Sequence, residues 1–356
     1  MSEIAAVPAI PESTAFDERL RTANRIFRGA LAFNIALTLL WIFTALTHGS
    51  YFFKDYRIDR EALMRVGFGV LWFNVIWGFI WYGVKRALLR YSVGFSKAEV
   101  RAAFSSRMKR DQPFEVAEYT ARHSERRIRI ADMVGRRGRF ITIGAAFFYY
   151  LYAQLSADPK PGFATAFLAD NLFDAVANGW IFLAFYYSNS FLGAAFYGPQ
   201  SRVMDGVLAR ANCLLITTLW AGFKFIMLPL GTRLAAVYPP RAFAAVFAMI
   251  WGSYMACDAM AEVGGALFGK QKIKVSGVGD VNRKSIAGTL TGFAASLALC
   301  VAVVLANHFP APWLGLAVVI SLSNTVLELY SPRGTDDFTM TLSNALICLA
   351  FGLWIR

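Results

Sequence analysis

Nine runs of mostly apolar residues, read as helices that cross a bilayer, constrain this chain more than any other feature of it. A hydrocarbon core about 30 Å thick is spanned by roughly 17 to 25 such residues. The runs cover residues 26–47, 66–84, 140–155, 173–192, 211–231, 242–257, 286–306, 313–329 and 339–355. Composition agrees: 57% of the 356 residues are hydrophobic, 17% are charged, and the mean hydropathy is +0.46, which excludes an ordinary soluble domain. The expected fold is therefore all-α, a polytopic integral membrane protein. The first run lacks a small-residue cleavage site and is expected to stay as a span.

Charge gives the orientation. Residues 85–139 hold fifteen Lys or Arg against six Asp or Glu, so most of the net +13 sits in one segment. Its apolar positions at helical spacing (Val116, Tyr119, Ile128, Ile130, Met133) predict amphipathic helices on the membrane surface. Basic loops stay in the cytoplasm, which predicts a cytoplasmic amino terminus and places residues 258–285 and 330–338 on that same side. In a membrane protein a basic balance reflects anionic lipid and loop topology, so nucleic acid is not an expected partner. Three regions follow: 1–139 with two spans and the basic segment, 140–249 with the middle spans, and 250–356 with the candidate chemistry. Cys213, Cys257, Cys300 and Cys348 lie in or beside apolar runs without metal-ligand spacing and read as core residues.

The polar island between the sixth and seventh runs carries that chemistry. Read as a helix, Asp258, Ala261, Gly265 and Gly269 share one face, where small residues admit another backbone or a ligand. Lys270, Lys272, Lys274, Arg283 and Lys284 follow, and Ser285 opens the next helix, placed to cap it or to bind a phosphate. Glu328, Arg333, Asp336 and Asp337 form a second polar cluster on the same predicted side. Carboxylates beside cations, with no His/Cys set, suit Mg²⁺ and phosphate rather than zinc. Glu262 stands one turn from Asp258, and Asp170 and Asp174 are two further acids near a membrane edge. Asp205-Gly-Val-Leu-Ala-Arg210 matches the opening of the CDP-alcohol phosphotransferase signature, but no acid follows in residues 211–231 to complete it.

The pattern Asp258-x-x-Ala261-x-x-x-Gly265-x-x-x-Gly269, then Arg283-Lys284-Ser285-x-x-Gly288, resembles the signature of membrane CTP-dependent lipid kinases: the dolichol, phytol and yeast-type diacylglycerol kinases. Phosphatidate cytidylyltransferases are more distantly similar. Glu328…Arg333-Gly-Thr-Asp336-Asp337 resembles the kinases' closing motif, with Asp337 where they have Asn and Thr341 where they have Pro. Cys257 stands in place of their usual Gly and Ala287 is like the phytol-kinase version, while the Arg-Lys-x-x-His that opens the kinases' conserved region is absent, Arg136-Arg137-Gly-Arg139 before the third run being at most a remnant of it. The Gly-His-Gly-Gly of the cytidylyltransferases is absent. The resemblance covers about residues 250 to 345.

The resemblance implies transfer of the γ-phosphoryl group of CTP to a membrane lipid alcohol, an isoprenoid alcohol first and diacylglycerol second. It implies Asp258 and Asp336 at Mg²⁺, and Lys284 on the nucleotide phosphates together with Lys270, Arg283, Ser285 and Gly288. Gly265 and Gly269 would give close approach, and Asp337 or Glu328 would receive the hydroxyl proton. The expected partners are a nucleotide, a lipid alcohol and the bilayer, with a homo-oligomer allowed. The expected location is a bacterial inner membrane or an endoplasmic-reticulum-like one. A cytidylyltransferase acting on phosphatidate is the alternative enzyme, and a transporter or non-catalytic scaffold the alternative outside enzymes.

Overall fold

The structure is a computed structural model that describes residues 12–46, 76–104, 116–156, 175–275, 282–331 and 335–356. The amino-terminal half holds α1 (Glu12–Leu46), α2 (Trp77–Ala87, continued by a π turn at Leu88–Val93), α3 (Lys97–Phe104), α4 (Val116–Arg122) and α5 (Glu125–Ser156). Next come α6 (Ala175–Phe185), α7 (Phe191–Tyr197), a 3-10 turn (Val203–Leu208) and α8 (Ala209–Val237). α9 (Pro240–Phe268) leads into a hairpin of β1 (Lys272–Val275) and β2 (Asn282–Ser285), and α10 (Ile286–Ala306), α11 (Pro312–Tyr330) and α12 (Asp336–Trp354) complete the chain.

Among the described residues, six helical stretches are long and apolar enough to cross a membrane: Asp17–Phe43, Val203–Lys224, Pro240–Phe268, Ile286–Ala306, Pro312–Tyr330 and Asp336–Trp354. Leu290, Leu305, Leu322, Val326, Leu346 and Leu353 are exposed on the outer faces of the last three, as lipid contact requires. The chain is a multi-pass, helical membrane protein. The second expected span begins outside the described residues, and the third is the latter half of α5 rather than a separate helix. The fourth is cut to Ala175–Phe185, because the chain turns at Tyr186–Ser190 and Arg210 takes the carbonyls of Phe185, Tyr186 and Ser188. That contact gives the CDP-alcohol phosphotransferase half-match a structural role: Arg210 ties a turn, and Asp205 accepts from the Asn212 amide at 3.0 Å.

α9 is the central helix, with 78% of its apolar window buried against 22% for α10 and 17% for α1. It packs on α5, α10, α11 and α12. Small residues let α10 come close: a Cβ on Gly288 would meet the Ala261 carbonyl at 2.5 Å, and one on Gly292 the Cys257 carbonyl at 2.8 Å. Pro239 and Pro240 open α9 without losing a helical hydrogen bond. At mid-helix, Ser253, Ser296, Ser321, Asn324 and Asn344 are fully buried and joined by hydrogen bonds from α9 to α12, so polar contacts as well as packing hold these four helices together. All four cysteines are buried and free, as expected of core residues.

The basic segment does more than lie on a surface. Lys85 is fully buried and pairs with Asp132 at 2.8 Å while donating to the carbonyls of Gly198 (3.0 Å) and Ser201. α5 begins at Glu125 and runs through the basic residues without a break, carrying Arg136 and Arg137 against α9. The loop expected after α9 is an antiparallel hairpin pairing Lys272 with Ser285, Ile273 with Lys284, Lys274 with Arg283 and Val275 with Asn282.

Candidate functional site

Asp258 is buried within α9, nearly three turns before the helix ends at Phe268. Glu328, buried near the end of α11, and Asp336, at the start of α12, come to it from the other side. Each offers a carboxylate oxygen, and the three oxygens lie within 4.8 Å of one another. The apolar faces of α9, α11 and α12 draw their polar ends to one level, so the two acidic clusters of the sequence meet there. The Glu328 Oε2 atom is buried with no hydrogen-bond partner among the described residues. Three hard oxygen donors and one orphaned carboxylate oxygen fit Mg²⁺.

Cations are interleaved with these acids. Lys284 Nζ lies 2.8 Å from Glu328 Oε1, delivered there by the hairpin. Arg137 of α5 grips Asp258 with both ends of its fork, Nη2 to Oδ1 at 2.7 Å and Nη1 to Oδ2. Its Nε donates to Glu262 Oε2, and Arg136 and Arg202 donate to Glu262 Oε1 at 2.8 and 3.3 Å. Glu262 is thus enclosed by arginines and is absent from the acidic triad.

Asp337 points another way. Its Oδ2 lies 3.4 Å from the indole nitrogen of Trp220, at the end of a narrow cleft lined by Ile216, Leu219, Phe223 and Phe338. Tyr254, one turn before Asp258 on α9, is fully buried, and its hydroxyl has no hydrogen-bond partner among the described residues.

The glycines and Ser285 have settled positions. A Cβ on Gly265 would stand 3.0 Å from Ser285 Oγ, and one on Gly269 would run into the same hydroxyl and the Gly265 carbonyl. Of the two occupants expected for this face, a backbone or a ligand, the neighbour present is the start of α10. Ser285 is the N-cap of α10, its Oγ accepting from the Gly288 N–H at 3.1 Å. Lys270 is exposed just past α9, and Lys272 and Lys274 are exposed on the hairpin. The Arg283 side chain, Arg333, Asp170 and Asp174 lie outside the described residues.

Sequence reasoning brought together Asp258, Glu328, Asp336 and Lys284, but it gave Arg137 no role in the site and missed Arg202. Arg137 and Asp258 are 121 residues apart, and no local pattern links them. The one available signal was the dense Arg136-Arg137-Gly-Arg139 run directly before an apolar stretch, where a topogenic role accounts for the charge equally well. Comparison with protein-family models, curated proteins and solved structures finds no match to this chain.

Proposed function

We propose that this protein is a membrane phosphotransferase that moves the γ-phosphoryl group of CTP to the hydroxyl of a lipid alcohol of isoprenoid or diacylglycerol type. The observation that carries this reading is the meeting of Asp258, Glu328 and Asp336 beside Lys284 within a membrane-spanning bundle. Those are the residues through which the motifs resemble CTP-dependent lipid kinases. Mg²⁺ held by the three carboxylates would supply positive charge against the β- and γ-phosphate oxygens.

In this reading the protein's own side chains do the following. Lys284 leaves Glu328 for a phosphate oxygen and offsets charge on the leaving group. The lipid hydroxyl oxygen forms the new bond to the γ-phosphorus, and the bond to the β,γ-bridging oxygen breaks, releasing CDP. Asp337 orients the hydroxyl and takes its proton, because Glu328 is committed to Mg²⁺ in this reading while Asp337 stands beside the apolar side chains of Ile216, Leu219, Phe223 and Phe338. Nine spans with a cytoplasmic amino terminus give this site access to cytosolic nucleotide.

Product analysis tests the reading directly. Purified protein in lipid nanodiscs with Mg²⁺, CTP and a panel of lipid alcohols is expected to yield CDP and lipid phosphate. Asp258→Asn is expected to lower the rate by at least about a hundredfold. Formation of CDP-lipid and pyrophosphate from phosphatidate would replace this proposal with cytidylyl transfer. Absence of CTP turnover with every acceptor would remove both.

A further inference from the structure

A metal and a phosphate donor account for the acidic triad of the site, but not for the arginines beside it. Arg136, Arg137 and Arg202 converge on one carboxylate, Glu262, one turn beyond Asp258 on α9. Arg137 is committed on both sides, with its fork on Asp258 and its Nε on Glu262. Arg136 and Arg202 differ: among the described residues each makes one hydrogen bond, and both go to the same Oε1 atom. A guanidinium has five N–H donors in a planar fork, so most of theirs are uncommitted. Around Glu262 itself three guanidinium groups face one carboxylate, and of the three only Arg137 has a second acid, Asp258, in its hydrogen-bond reach. The cluster still opens outward, since the side chains of Arg202 and Glu262 are 33% and 20% exposed.

A carboxylate has two oxygens, so three arginines around it must crowd. A phosphoryl group presents three oxygens in a tetrahedral arrangement and relieves that crowding, with stronger charge on each contact. We propose that Arg136 and Arg202, braced by Arg137, form a polyphosphate-binding subsite, and that Glu262 occupies it as an internal stand-in while no ligand is bound. Loading swings Glu262 aside and hands its two outer arginines to phosphate oxygens. Arg137 stays on Asp258 and sets the spacing between the phosphates and the acidic triad. The inference rests on the phosphate-donor reading of the site and adds residues from α5 and the segment before α8 to it.

The test is equilibrium binding of inorganic pyrophosphate with Mg²⁺ to the full chain in nanodiscs, measured by calorimetry without acceptor lipid. Glu262→Gln removes the competing charge and is expected to tighten binding about tenfold, and Arg202→Ala to weaken it about tenfold. If Glu262 merely organises buried arginines, Glu262→Gln binds no tighter than the wild type, and that result overturns the proposal. Should Glu262→Gln not fold, Arg202→Ala decides alone, because its partly exposed side chain is replaceable and unchanged affinity overturns the subsite. CTP turnover in a protein whose pyrophosphate affinity ignores both substitutions leaves the kinase and removes the subsite. Pyrophosphate binding with both expected signs, in a protein that never turns over CTP, leaves the subsite and removes the kinase.

Discussion

Lys85 shows what a single residue costs and contributes in this bundle. It is fully buried, and its ammonium is satisfied by Asp132 and two carbonyls supplied by the turn after α7. Asp132 in turn accepts the Val203 N–H at 2.8 Å, so the pair pins α2 and α5 to the segment that carries Arg202. Breaking such a pair from one side leaves a buried charge and costs about 3 to 5 kcal/mol, whereas apolar replacement of both partners is close to neutral. Asp132→Ala is accordingly expected to lower the thermal unfolding midpoint in detergent well below that of Lys85→Met combined with Asp132→Leu. Equal midpoints would show that the pair carries no such penalty. In the sequence, Lys85 and Asp132 read as two charges among many in a basic segment. Ser285, by contrast, was legible as a helix start, since an N-cap depends only on the residues next to it.

Among the elements, α3 is short and depends on its ends. Ser96 and Glu99 form a reciprocal cap, the Glu99 N–H donating to Ser96 Oγ at 3.1 Å and the Ser96 N–H to Glu99 Oε2 at 2.7 Å. Glu99 also meets His123 beyond α4 at 3.2 Å, so one carboxylate joins two helices of the basic segment. Burial pushes the Glu99 carboxyl up, but hydrogen bonds from Ser96 and His123 outweigh it and hold the group below its ordinary value. A depressed carboxylate contributes stability that is present above its unfolded pKa and lost as pH falls through its folded one. Amide-exchange protection of α3 is therefore expected to hold at neutral pH and drop in acid below the usual carboxylate range. Glu99→Gln should show weak protection at both pH values, and a pH-independent difference from wild type in the other direction would contradict the cap. The helices α9 to α12 were readable as apolar runs, while the hairpin between α9 and α10 was not. Its strands are four residues each and their pairing is set by the two helices they connect.

Across the whole molecule, contacts between distant segments fix which end of the bundle each terminus occupies. Tyr186 donates to the Ala23 carbonyl and Arg210 to the Tyr186 carbonyl, which puts the first turns of α1 beside the start of α8. Arg202 reaches Glu262, so the hairpin lies at that same end, while Arg356 donates to the Ala236 carbonyl at the other. Cysteines introduced at the exposed positions Glu18 and Lys272 are expected to react with an impermeant maleimide from one side of the membrane, and one at Arg356 from the opposite side. Labelling of Arg356→Cys from the side that labels Lys272→Cys would overturn this arrangement. The sequence by itself determined that the chain lives in a bilayer, where its last helices run and which acids share a level, because hydropathy and helical periodicity are properties of neighbouring residues. Only the tertiary structure decided that α5 delivers Arg136 and Arg137 to α9, that Glu262 belongs to arginines rather than to the acidic triad, and that the glycines admit the start of α10. Those choices depend on charge pairing and close packing between separate segments, 126 residues apart for Arg136 and Glu262 and 60 for Arg202 and Glu262, which no local pattern encodes.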